Sequence, residues 1–532
     1  MLAFIRSEYT FGGPGQIYVK LLPDGDPAQL TNDNLRKRGA PKFSPDGTRI
    51  AYAALKPGSG WDTWVVPVLG GQPRLFLANA SGLTWIESGT RQSRLLFSEL
   101  TGRGDQMAIV SSTESRARRR VVYMPPESGM AHRSYLSPDR KQVLLVEMDQ
   151  GAWLPCRLTP FDGSSRGKPV GPAPAHCMDA AWSPDGKWMY FSADTGTGYH
   201  IWRQRFSGGS AEQITSGVTQ EEGIELAPDS RSLVTSIGAS QSTVWFHDSG
   251  GDRQITSQGY GVLPSVSPDG KKLYYMLRAK GVRHFVSGEL WVADLKSGQR
   301  RRLLPDFLMK HYAISADGQR VVFVVSGDTG DSPVWLAALD GRSAPRQVTM
   351  KDAWRAYSVA GGYVVFMAEG EKVVYRVKED GSELQKIVSV ESSASLFSVS
   401  PDGRWIAIPA STDLMTWPAM AYPVNGGSPT LLCVPCDGSS DVERPRPSGV
   451  SWSPDGKFLY LKIHESIYAI PLGRGQTLPP IPPSGFRSNE DVAGLPGARL
   501  ISEPGAFPGP NPSIYAFTKV AAQRNIYRVQ VP

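Results

Sequence analysis

One short turn recurs through this 532-residue chain and limits what it can fold into. Its clearest copy is Ser183-Pro184-Asp185-Gly186, followed by Lys187-Trp188-Met189-Tyr190-Phe191-Ser192-Ala193. Proline presets φ near −65° for the first corner of a type I turn, aspartate takes the second, and glycine supplies the left-handed residue that closes a bulged hairpin. The turn therefore joins two antiparallel strands. Large apolar residues fall on both faces of the second strand, Trp188 and Tyr190 on one and Met189 and Phe191 on the other, which marks it as buried on both sides. Further copies begin at Ser44, Ser137, Ala227, Ser267, Ser315, Ser400 and Ser453. Neighbouring copies are as close as 40 residues (Ala227 to Ser267) and as far apart as 53 (Ser400 to Ser453). Two gaps, 93 from Ser44 to Ser137 and 85 from Ser315 to Ser400, are about twice the period, and each holds a degenerate copy, at 83–99 with a longer loop and at 358–368 with Gly361-Gly362 in place of the turn.

Each copy is followed by an aromatic or aliphatic strand that runs into a Gly-rich turn, often with a short QIT or QLT strand after it. This second signature appears at 17–25, 64–71, 107–112, 156–163, 201–209, 244–251, 290–298, 334–341, 374–381, 419–427, 467–475 and 526–531. Twelve units of four short strands result. A period of 40 to 50 residues with four strands is the signature of a β-propeller, whose blades bury their faces against one another. Twelve blades exceed one ring, so the expected fold is all-β, two tandem six-bladed propellers of four-stranded antiparallel blades, at residues 1–258 and 259–532. Seven plus five is the alternative division. Trp182, Trp188, Trp202, Trp245, Trp291, Trp335, Trp405 and Trp452 recur at the blade period and read as packing wedges.

The SPDG turn, the β-branched or aromatic strand after it, the IY/IW strand and the QLT strand resemble the TolB-like, WD-repeat-like propeller family over nearly the whole chain. The chain also resembles the C-terminal propeller region of some bacterial serine/threonine protein kinases and winged-helix regulators. That likeness implies a sensory or protein-binding role in a signalling protein, with kinase or DNA-binding chemistry upstream of residue 1. Residues 1–6 read as the second strand of a blade, so either the missing inner strand comes from 261–266 or the chain is a fragment of something longer; the fragment is the favoured expectation.

The formal charge of +7 and pI near 9.1 invite a nucleic-acid reading. The basic clusters, Arg36-Lys37-Arg38, Arg116 with Arg118-Arg119-Arg120, and Arg300-Arg301-Arg302, sit at strand ends or connections without a repeated pattern, so a solvated loop face is expected and no nucleic acid. No run of eighteen apolar residues could span a membrane. The compartment stays open between cytoplasm and, for a domain attached to a membrane kinase, periplasm. Four cysteines form no disulfide framework at this length. Cys433 and Cys436 form one CxxC, bridgeable only across a turn at Val434-Pro435, and Cys156 and Cys177 read as buried small residues.

Propellers carry both enzymes and binding modules, so catalytic motifs decide between them. Gly163-Ser164-Ser165-Arg166-Gly167 matches GxSxG, but it lies between strand signals with no helix after it, so no catalytic residue is assigned. No phosphate loop, calcium loop or zinc-binding helix motif occurs, and no cofactor or metal is expected. The start of each innermost strand faces the central channel. This places Arg38, His132, Arg133, Asp179, Glu221 and Glu222 around the first channel, and Tyr260, Lys310, His311, Arg355, Ser395 and Arg446 around the second. Glu221, Glu222 and Asp179 are expected to converge on one funnel mouth. The function expected is non-catalytic recognition of a protein or peptide, or of a small ligand in the channel. The alternatives are a metal-dependent channel lyase or hydrolase, and a relative of prolyl-peptidase gating domains.

Overall fold

A computed structural model describes residues 1–531 except 8–13, 56–59, 87–93, 102–105, 127–128, 150–151, 258, 279–286, 328–330, 370, 372, 391–396, 410–417, 435 and 437–448. The regular structure of the described chain is almost entirely β-strand, and the one helix within it is Asn489–Ala493. No helix among the described residues is long and apolar enough to cross a membrane.

The recurring turn forms as its sequence dictates. Gly47, Gly186, Gly270, Gly318, Gly403 and Gly456 all take φ between 69° and 71°, and Arg140 and Ser230, which replace glycine in two copies, are held at 59° and 56°. The serine ahead of the turn also has a definite task. Ser183 Oγ donates to Asp185 Oδ1 at 2.6 Å and accepts the Trp188 N–H at 2.9 Å, tying the two strands together across the turn. Ser137, Ser267, Ser400 and Ser453 repeat both bonds. The extended loop expected within 83–99 lies outside the described residues.

Two compact units divide the chain. Met1–Ser240 and Ala522–Pro532 belong to the first, and Gln241–Ala279 and His284–Ala521 to the second. In the first unit, sheets follow one another in chain order. Leu2–Ser7, Gly15–Lys20 and Ala28–Gln29 make a three-stranded sheet, and Arg36–Phe43 opens a four-stranded one that ends at Arg74–Leu77. Four-stranded runs then begin at Ser81–Trp85, Gly129–Leu136 and His176–Trp182, the first two being joined by a single bridge between Met107 and Met130. Gln220–Leu226 pairs with the start of Ser232–Asp248, and Val531 N–H donates to Arg231 O at 2.9 Å. In the second unit, four-stranded runs begin at Gly261–Val266, Met309–Ile314, Ala353–Val359, Ser398–Val399 and Val450–Trp452.

Gly261–Val266 does not complete the sheet of Leu2–Ser7, as one reading of the sequence allowed. It pairs with Lys272–Arg278 and opens its own run, because its alternating apolar residues are needed there: Val262 and Val266 are buried against Tyr274 and Leu273. The core is divided in the same way as the sheets. Leu144, Val146 and Leu158 of one sheet pack on Ala180, Met189 and Phe191 of the next, so each middle strand is covered on both faces. Phe191 is fully buried, a side chain for which removal from water contributes about 1.5–3 kcal/mol.

Cys156 and Cys177 are indeed buried, and they are also joined in a disulfide with Cα atoms 5.3 Å apart. Cys433 and Cys436 are joined likewise at 5.6 Å; of the turn expected between them, Pro435 lies outside the described residues. The cluster Arg36-Lys37-Arg38 is not a solvated loop. It lies in the strand Arg36–Phe43, with the Lys37 side chain fully buried beside Asp33.

Candidate ligand site on the bulged first strands

Five leading strands of the first unit share one irregularity. Register slips between Arg38 and Lys42, Ser81 and Thr84, Ala131 and Arg133, Cys177 and Asp179, and Glu222 and Glu225. A bulge bends its strand and re-aims the side chains beside it, and here five bulges fall at equivalent positions. The bulged segments contact one another directly. Thr84 Oγ1 donates to Ser134 O at 2.9 Å, Arg133 donates to Met178 O at 2.9 Å, Ile224 N–H donates to Asp179 Oδ2 at 3.2 Å, and Lys42 meets Glu225 at 2.6 Å. Gly82, at φ 60°, allows its strand to approach the His132 carbonyl so closely that a Cβ there would lie 2.7 Å from that oxygen.

Between the first three of these strands is a cavity of about 50 Å³, with Arg38, Lys42, Tyr52, His132, Arg133 and Ser134 on its wall. Three of the six side chains expected at the first channel, Arg38, His132 and Arg133, line it. Asp179 stands behind Arg133, with an Oδ2 to guanidinium distance of 3.4 Å, and also accepts the Tyr135 hydroxyl. Burial, then the neighbouring Asp179 charge, pushes the Tyr135 hydroxyl pKa well up. Burial, followed by repulsion from Arg133 and Arg36, lowers Arg38 to about 9. Burial and the charges of Arg38 and Arg133 hold His132 well below the usual histidine range, so it is neutral at pH 7.

Of the three carboxylates expected together, Asp179 and Glu222 both act on the Arg133 guanidinium. Glu222 pairs with Arg524 at 3.0 Å, while Glu221, on the opposite face of the strand as alternation requires, is buried against His200 at 3.0 Å and Thr215 at 2.6 Å. Tyr135, Ser134, Lys42 and Arg524 belong to the site or its supports and were not singled out from sequence. Tyr135 had a signal, since it lies two residues beyond Arg133 on the same strand.

In the second unit, Lys310 pairs with Glu369 at 3.1 Å with both side chains nearly buried, and His311 accepts the Ala356 N–H at 3.4 Å. Burial, then Arg355, lowers the His311 pKa well below the ordinary value. Tyr260 instead receives the Arg278 guanidinium over its ring at 4.0 Å. Ser395 and Arg446 lie outside the described residues. Among the described residues, no group of three His, Cys, Asp or Glu side chains could hold a metal ion. Gly163 to Gly167 forms an exposed turn between the strands Arg157–Pro160 and Lys168–Pro169, without the helix that an elbow serine requires.

No family model and no curated protein matches the chain. Among solved structures it is similar to the tricorn protease at 12% identity and TM-score 0.33, covering 96% of this chain and 54% of that one. An oligogalacturonate lyase in complex with manganese is similar at 14% identity and TM-score 0.28, over 64% of this chain and 97% of that one. TolB from Acinetobacter baumannii is similar at 14% identity and TM-score 0.21, over 64% and 80% respectively. The chain thus spans about half the length of the tricorn protease.

Proposed function

We propose that the chain is a non-catalytic recognition module built as two TolB-like six-bladed propellers, holding a small ligand, or a protein or peptide segment, at the bulged wall of the first unit. The observation that carries the binding reading is that wall: the bulged segments at Arg38–Lys42, Ser81–Thr84 and Ala131–Arg133 put charged and hydrogen-bonding residues around one cavity. The ring reading is supported by the packing of the second unit. Its apolar clusters link each sheet to the next, and a last cluster of Val244, Phe246 and Ala516 with Val266, Leu273 and Tyr275 returns to the first.

The test is calorimetric titration of metabolite and peptide classes into the chain prepared without added metal. Saturable binding that Arg133→Gln weakens at least tenfold, with the ligand recovered chemically unchanged, is the expected result. A ligand recovered cleaved, or binding that requires an added divalent ion, would overturn the reading in favour of a channel enzyme.

The biological setting proposed is the sensory or scaffolding portion of a bacterial signalling protein. All four cysteines are paired, and disulfides persist in oxidising compartments, which favours the periplasmic setting over the cytoplasmic one. Protein isolated under non-reducing conditions from its native host should resist alkylation at all four positions until reduced. Free thiols in that material would remove the argument for the periplasm.

A further inference from the structure

The cavity of the first unit has a definite electrostatic character. Arg38, Lys42 and Arg133 are on its wall, and no carboxylate is among its lining residues. From outside it, Asp179 pairs with Arg133 and Glu225 with Lys42. Arg38 sits over the Trp61 ring at 5.6 Å and feels the repulsion of Arg133 and Arg36.

A second observation is independent of charge. His132 Nε2, Ser134 Oγ and Tyr52 OH, all buried, have no hydrogen-bond partner among the described residues, and all three residues line this cavity. His132 is 6% exposed and Ser134 1%. A buried polar atom left unsatisfied costs about 1–3 kcal/mol, so three orphans around one void point to an occupant with several hydrogen-bonding atoms. A cavity needs about 10–15 Å³ by this measure to hold one water, so 50 Å³ admits a group of a few heavy atoms.

We propose that this cavity binds a small oxyanion, free or as the carboxylate or phosphate group of a larger ligand, through Arg38 and Arg133, with Ser134, Tyr52 and His132 supplying further hydrogen bonds. Guanidinium groups match the geometry of such oxyanions, and hydroxyl donors complete the shell. The hydroxyls of Tyr52 and Ser134 donate to the oxyanion, as does the His132 Nε2–H tautomer. This deepens the recognition reading above and rests on it.

The experiment uses the full chain in a chloride buffer and titrates inorganic phosphate or acetate, at constant ionic strength, while heat and melting temperature are followed. Saturable binding of at least one anion is expected, with a raised melting temperature for the first unit. Arg38→Gln should weaken it at least tenfold, and Ser134→Ala, a smaller change that spares the fold, several-fold. Arg342→Gln, at an 88% exposed arginine of the second unit, should change nothing. Stronger acetate binding assigns the site to carboxylates and stronger phosphate binding to phosphates. A wild-type chain that binds neither, or equal weakening by Arg342→Gln, overturns the proposal. The recognition module itself fails separately, through the recovery of altered ligand or a metal requirement.

Discussion

Asp179→Ala is expected to destabilise the first unit by about 3–5 kcal/mol, the cost of removing one partner from a buried ion pair. The Asp179 side chain is only 4% exposed and takes four donors: the Arg133 guanidinium at 3.4 Å, the Tyr135 hydroxyl, the Ala180 N–H at 2.9 Å and the Ile224 N–H at 3.2 Å. Alanine would leave a buried guanidinium without its carboxylate and three further donors without acceptors. It would also cut the link between the strands His176–Trp182 and Gln220–Leu226 that the Ile224 bond supplies. Asp179→Asn keeps the shape and an acceptor oxygen while losing the charge, so it should cost about 1–3 kcal/mol. Denaturant unfolding of the full chain measures both, with any transition of the second unit left in place. A cost below 1 kcal/mol for the alanine variant would show that Arg133 finds other compensation and that the wall is not built around this carboxylate.

The turns were legible because they depend on residues close in sequence. Ser183, Pro184, Asp185 and Gly186 each satisfy a local backbone need, and even the two copies without glycine keep Arg140 and Ser230 left-handed. Arg38, His132 and Arg133, named from the strand starts, line one cavity of the first unit. What could not be read was how the bulges re-aim side chains, because a register slip is a property of two strands at once. Neighbours on one strand point to opposite faces, so Glu222 pairs with Arg524 while Glu221 pairs with His200. The pairing of Tyr515–Gln530 with Ser232–Asp248 depends on residues almost three hundred positions apart, as in Arg524 with Ser236, and no local pattern announces it. The Cys156–Cys177 bridge likewise joins adjacent sheets rather than a sequence motif.

The second large effect is acid sensitivity that begins near neutrality. His132 in the first unit and His311 in the second are buried, and burial together with nearby arginines holds both well below their ordinary pKa. The His311 ring accepts the Ala356 N–H at Nδ1, a role open only to the neutral form. In the unfolded chain each histidine takes up a proton near pH 6.5, whereas the folded chain does not until lower pH. The unfolded state therefore binds more protons below 6.5. Stability is full above that pH and falls as pH drops, by up to about 1.4 kcal/mol per pH unit for each unit. A second loss should begin below about pH 4, because the turn aspartates, held low chiefly by their serine and backbone donors at Asp46, Asp139 and Asp185, lose those bonds when protonated. Denaturation midpoints at pH 7.5, 6.5 and 5.5, in buffers free of phosphate and carboxylates, check the first step. His132→Phe, which keeps a ring against Trp153, should flatten the slope of the first unit alone. Midpoints that stay level from pH 7.5 to 5.5, or an unchanged slope in the phenylalanine variant, would mean that these histidines are not the groups that titrate.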